Sequence, residues 1–390
     1  MSAPLRLGLL YGVLFLGTGV SQPYLPVWFA RRGLSGGEIG LILALPLTAR
    51  ILTAPLLAVW ADSFRLRRTP LAILAALVAG CYALLALPFG LAWWALAWFA
   101  ASSMYTTLSP LIDVLTLRRA QREGFNYGLP RSFGSAAYII ANLAAGALIV
   151  RGSADIVLVW MIAAAAAVSL AALAAPADPA QGAGEAVAGP QPLPARLAAA
   201  GELLRDRTFM AAVLSIGLIQ ASHVFFYSFS ALTWRRQGLG EEVTGALWAF
   251  GVAVEIAFLW RFEALRRRFG ARGLLVAGGV AAVVRWVAFA CAPPAWLLWP
   301  LMALHALTFA ATFVGGLALV QRLSTPRNAS AAQALSSALS GGVLSGLATL
   351  ASGPLFDRYG AGGYLLCAAM AGAGLAGALC LYRSERLDAA

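Results

Sequence analysis

RQGLGEEVTGALWAFGVAVEIAFLWRFEALRRR, Arg236–Arg268, is an apolar stretch of about membrane-spanning length with one carboxylate, Glu255, set well inside it. An uncompensated charge at that depth costs ~2.5–3.5 kcal/mol on insertion scales, so it requires a partner or a function. A second stretch, Arg31–Arg68 (RRGLSGGEIGLILALPLTARILTAPLLAVWADSFRLRR), repeats the layout. GLSGGEIG at Gly33–Gly40 aligns without a gap on GLGEEVTG at Gly238–Gly245, and in that register Arg50 falls opposite Glu255. The chain repeats itself, with a cation in one copy and an anion at the matching depth of the other.

Working outward, 61% of the 390 residues are hydrophobic and only 11% charged, against roughly 25% charged in ordinary globular chains. Such a composition with long apolar runs predicts an all-α polytopic membrane protein, with the lipid bilayer as its surroundings. The net charge of +12 comes from arginines between apolar spans, where they report topology and not a groove for phosphates, so no nucleic-acid partner is expected. Lysine is absent, which removes the GxxxxGK[ST] loop of the usual ATP-driven pump. Cys81, Cys291, Cys367 and Cys380 lie at wide spacing in apolar spans, and no HExxH is present, so neither a metal nor another cofactor is expected. Leu7–Ala30 is too long for a signal-peptide core and reads as the first span.

Twelve spans of roughly 20 residues follow. They are 5–29, 38–60, 70–89, 91–117, 131–150 and 155–175, then 208–233, 241–261, 273–291, 295–320, 329–352 and 362–382. Residues 1–175 form one six-helix half, 176–207 a linker and 208–390 the other half. Within the linker, Pro194–Asp206 reads as a short amphipathic helix. With the N-terminus inside, 20 of the 28 arginines fall on the cytoplasmic side, so both termini are expected there. Two parallel-register halves describe a secondary transporter, whose substrate site is expected near the midplane.

The loop Trp60–Arg68 (WADSFRLRR) resembles the cytoplasmic signature of the major facilitator superfamily, without its usual glycines. The resemblance implies a cytoplasmic latch formed by Asp62 with Arg65, Arg67 and Arg68. QPYLPVWF (Gln22–Phe29), SPLIDVL (Ser109–Leu115), NYGLPRSFGS (Asn126–Ser135), QASHVFFYSFSALTW (Gln220–Trp234), GVAVEIAF (Gly251–Phe258), VVRW (Val283–Trp286) and ALHALTF (Ala303–Phe309) resemble, in order, the 3-phenylpropionate transporter family. That family is similar to the lactose permease group of proton symporters. In the permeases an acid in span 4 and an arginine entering span 5 bind sugar, and Asp113 and Arg131 match them. Glu255, Arg285 and His305 occupy the places of the permeases' proton-coupling residues, with the span 8 match displaced by about a turn. Thr308 stands where the permeases carry a second carboxylate.

The ionisable residues inside spans are few. Arg50 lies ~18 Å into its span and is either a fixed cation for an anionic substrate or for Asp113, or one half of a structural interhelix ion pair. Asp113 and Arg131 either serve substrate binding or gating, with Asp113 a candidate proton carrier beside Glu255, or form a salt bridge that closes the inner end of a helical hairpin. Glu255 is either the proton carrier or part of a static pair. His223 and His305 either titrate and bind, or pack as hydrogen-bonded groups. Phe225, Phe226, Tyr227 and Phe229 suit a phenyl pocket or a core, and Gln22 and Tyr24 are their counterparts in span 1.

The expectation is a monomeric, proton-coupled importer of a small aromatic carboxylate in a bacterial-type inner membrane. It works by alternating access and is driven by the proton gradient. A sugar or nucleoside symporter is the alternative within transporters. A non-transporting sensor or scaffold is the alternative outside them, although no appended soluble output domain fits in the chain.

Overall fold

The computed structural model describes residues 2–177, 193–325 and 327–381. Residues 178–192, at the centre of the expected linker, and the C-terminal Arg383 and Arg386 lie outside the described residues. Among the described residues the secondary structure is helical, without strands. Ten helices are long and apolar enough to cross a membrane. One of them, Ala329–Cys380, is of double length, and Gly360–Gly363 divides it into two crossings. A further helix, Leu91–Glu123, is long enough but less apolar, because serines, threonines and tryptophans interrupt it. Together they account for the twelve spans.

In the first half the spans are α1 (Ala3–Arg31), α2 (Gly36–Asp62), α3 (Arg68–Leu85), α4 (Leu91–Glu123), α5 (Gly128–Arg151) and α6 (Asp155–Ala174). A short helix, α7 (Leu193–Arg205), precedes α8 (Arg207–Ala221) and α9 (Val224–Arg236), which together form the seventh span. α10 (Glu241–Ala290) holds the eighth and ninth spans, broken at Gly270 where φ is +66°. The tenth comprises α11 (Ala295–Ala303), a π-helical segment (Ala306–Ala311) and α12 (Thr312–Arg322). α13 (Ala329–Ser337), a second π segment (Ala338–Leu344), α14 (Ser345–Tyr359) and α15 (Tyr364–Cys380) complete the chain.

The sequence repeat has a structural signature. α1 ends where Leu34 N–H donates to the Phe29 carbonyl (3.2 Å) across Gly33, whose φ is +88°. α9 ends where Leu239 N–H donates to the Trp234 carbonyl (3.0 Å) across Gly238, φ +84°. Both are the six-to-one bond of a helix C-cap with glycine in the left-handed region, where a Cβ would be strained. The next helix begins two residues after Leu34 in one copy and two after Leu239 in the other, at Gly36 and Glu241. In the first copy Ser35 and Glu38 add a reciprocal capping box.

The chain forms two compact units. The first contains α1–α6 together with Tyr227–Ala249, the end of α9 and the start of α10. Its core joins α1, α3, α4 and α6 through residues such as Leu10, Leu74, Ile112 and Val168. Tyr227–Ala249 is fixed to it at close range. The Tyr24 hydroxyl donates to the backbone carbonyls of Glu241 (3.0 Å) and Asn142 (3.2 Å), and Arg31 pairs with Glu241 at 2.8 Å. A Cβ on Gly245 would collide with the Asn142 carbonyl, so α5 and α10 meet backbone to backbone, as small residues permit between membrane helices. The second unit holds α8 with its continuation to Phe226, and the chain from Phe250 onward. Its centre is aromatic: Trp286 stacks on Tyr364, and Phe226 on Phe289.

Candidate functional site

In the second unit, α10 contributes two charged residues, one from each of its spans: Glu255 before the Gly270 break and Arg285 after it. His305 directly precedes the π segment, and Thr308 lies within it. A π segment shifts the helical phase, and such segments recur at functional sites. His223 sits at the junction of α8 and α9.

These residues form one chain of hydrogen bonds. Arg285 Nη1 lies 3.2 Å from His305 Nδ1 and 3.1 Å from Thr308 Oγ1. Guanidinium nitrogens only donate, so Nδ1 must be the accepting, unprotonated nitrogen. His305 is therefore neutral with its proton on Nε2, which faces Glu255 Oε2 at 3.4 Å. On the other side, His223 Nδ1 is 3.0 Å from the Gln220 carbonyl and must donate to it. That leaves His223 Nε2, 3.0 Å from Thr308 Oγ1, to accept the threonine proton. Gln220 in turn donates to Thr312 Oγ1 (2.7 Å). The two histidines are held as opposite neutral tautomers around one arginine.

Arg285 is fully buried, with its guanidinium carbon 4.5 Å from the Trp286 ring centroid, 4.8 Å from Phe226 and 5.4 Å from Phe289. A desolvated cation over aromatic faces is stabilised by the ring quadrupoles. Those rings are themselves buried, as are Phe225 and Phe229, so the aromatic run of the seventh span packs as core in this structure. Tyr227, in the first unit, is half-buried, with its ring centroid 6.0 Å from that of Trp248.

The first unit carries a second constellation. Asp113 Oδ1 accepts hydrogen bonds from Tyr11 (2.5 Å) and Tyr127 (2.8 Å). Arg131 rests on the faces of Phe15 (4.4 Å) and Tyr11 (5.4 Å). Arg50 is exposed at mid-length of α2 and makes no hydrogen bond or ion pair among the described residues. Tyr24 is committed to the backbone carbonyls described above, and Gln22 accepts from the Tyr138 hydroxyl (3.1 Å). At the loop after α2, Asp62 lies 3.9 Å from Arg67, and Arg68 caps the end of α6 through the Leu173 and Ala175 carbonyls (both 3.2 Å), while Arg65 is exposed.

The structure thus joins Glu255, Arg285, His305 and His223 in one network, and places Asp113 and Arg131 in one cluster without pairing them. Tyr11, Tyr127, Gln220 and Thr312 escaped the sequence reading. Tyr127 had a usable signal, since it lies one turn before Arg131 and shares its face. Tyr11 had none, being one aromatic residue in an apolar span. Among the described residues no three His, Cys, Asp or Glu side chains gather as a metal site would require.

An all-helical chain with twelve spans and charges buried between its helices has the architecture of the major facilitator fold. A model of the MFS_1 like family matches residues 5–365, and the chain belongs to that family. The "Probable 3-phenylpropionic acid transporter" of Escherichia coli (strain K12) is 30% identical over 289 residues, covering 72% of each chain. The maltose permease of Geobacillus stearothermophilus is 29% identical over 368 residues, covering 92% of this chain and 89% of the permease. The fold is also similar to the crystal structure of the nucleoside transporter NupG. The TM-score is 0.79 at 19% identity, over 99% of this chain and 100% of that one.

Proposed function

We propose that the chain is a proton-coupled symporter that imports a small aromatic carboxylate such as 3-phenylpropionate by alternating access. Both termini lie in the cytoplasm in this reading, and the substrate is moved without being chemically changed. The observation that carries it is the Arg285–His305–Glu255 chain. Ionised Glu255 balances Arg285 across a neutral imidazole. Protonating Glu255 leaves the arginine charge uncompensated in a low-dielectric surrounding, where its field is felt over a longer range than in water. The protonated carrier then favours an anion, which links proton uptake to carboxylate uptake. Arg50, exposed and without an ion partner among the described residues, supports the anionic substrate class, because a guanidinium grips a carboxylate through its planar fork. The substrate itself follows the Escherichia coli relative.

A second reading, a sugar or nucleoside symporter, has its own support. Asp113 already engages two hydroxyl groups, the chemistry that recognises hydroxyl-rich ligands, and the maltose permease and NupG point the same way. Uptake into proteoliposomes under an imposed inward proton gradient separates the readings. Labelled phenylpropionate should accumulate and carry protons with it, whereas maltose and uridine should not. Accumulation of maltose or uridine in its place would establish the second reading, and proton flux with none of the three would end the symporter proposal for these substrates.

A further inference from the structure

Asp113 and Arg131 belong to one cluster, yet among the described residues they form no ion pair. Each is held by something else. Tyr11, fully buried, and Tyr127 both direct their hydroxyls at Asp113 Oδ1, and a carboxylate with two such donors is satisfied where it stands. Arg131 lies over the rings of Phe15 and Tyr11, and Gly134 leaves the room for it. A Cβ there would sit 2.9 Å from the Phe15 ring and 3.1 Å from Arg131 Nη1. A guanidinium held over aromatic rings, with no hydrogen bond or ion pair among the described residues, keeps its N–H donors for an acceptor, and its planar fork suits a carboxylate.

We propose that Tyr11 and Tyr127 are positioning residues. By occupying Asp113 they keep its carboxylate off Arg131, and the guanidinium edge stays available to the carboxylate of the transported acid. The inference rests on the aromatic-carboxylate reading above. It also explains how an acid and an arginine can sit in one cluster of a carrier without neutralising each other: a pair joined directly would compete with every anionic substrate. Removing one phenol hydroxyl frees the carboxylate to move onto Arg131, and removing the negative charge as well abolishes that competition.

The test is equilibrium binding of radiolabelled 3-phenylpropionate to the purified full-length protein. Tyr127→Phe should weaken binding about tenfold, the effect expected when a charge-assisted contact competes for the guanidinium. Asp113→Asn placed in the Tyr127→Phe protein should restore most of the lost affinity. A tyrosine that merely supports the fold, or touches the ligand directly, would not be rescued in this way. Tyr11→Phe, alone and with Asp113→Asn, repeats the measurement should Tyr127→Phe not fold, as judged by its thermal unfolding. Wild-type binding that Tyr127→Phe and Tyr11→Phe leave unchanged, or a loss that Asp113→Asn does not repair, overturns the positioning role alone. Absence of saturable phenylpropionate binding to the wild type overturns the substrate reading together with this inference.

Discussion

At the scale of the residue, the second unit is organised by what Arg285 cannot do. It cannot lose its proton, so it holds His305 as a neutral acceptor and reaches His223 only through Thr308; in the proposed mechanism the proton is therefore carried by Glu255. Glu255→Gln should therefore abolish uphill uptake while sparing substrate exchange, measured as counterflow in proteoliposomes. Retained concentrative uptake would remove Glu255 from coupling. Arg285→Ala should be harsher, because it strips a fully buried cation from His305, Thr308 and three aromatic faces. A loss of about 3–5 kcal/mol, the scale of breaking a buried pair from one side, should appear as a large drop in the thermal unfolding midpoint of the purified protein. Glu255, Arg285 and His305 were legible in the sequence because an ionisable side chain inside an apolar span stands out. The part of Thr308 was not, since a hydroxyl in a membrane helix is unremarkable until two partners are seen to converge on it.

At the scale of the element, span positions were legible because apolar length is a local property, and the ends agree with the sequence reading to within a few residues for most helices. Side-chain facing was less so. Counting from His305 along a regular helix misplaces Thr312, because the intervening π segment turns through less angle per residue than an α-helix. Nor does a linear pattern say which rings pack together, and so Phe225, Phe226 and Phe229 could read equally as pocket or core. The close passage of α5 and α10 likewise could not be read, although the glycines that allow it were visible. Gly245→Val tests that passage. Its branched side chain must push against the Asn142 backbone, and overpacking of this kind costs about 1–3 kcal/mol. The unfolding midpoint should fall, while Gly372→Ala, whose Cβ would meet only Val283 at an ordinary contact distance of 3.9 Å, should leave it nearly unchanged.

At the scale of the whole molecule, the repeat read from Gly33–Gly40 and Gly238–Gly245 reappears as two helix ends capped in the same way, each followed by a helix start at the same interval. The compact units follow contacts instead, since Tyr227–Ala249 lies far along the chain but packs with α1 and α5. That segment has a practical meaning for how the polypeptide is assembled. If the gene were divided within the linker at 178–192, the downstream product would still carry the hairpin around Gly238, with Glu241 ready for Arg31 and Tyr24. The two products, made together in one cell, should find each other and copurify through a tag on either one. Substituting Glu241→Arg should weaken their recovery, because it turns the attraction with Arg31 into repulsion. Covalent continuity would then be dispensable for this protein, and the hairpin would serve as the handle by which one fragment captures the other.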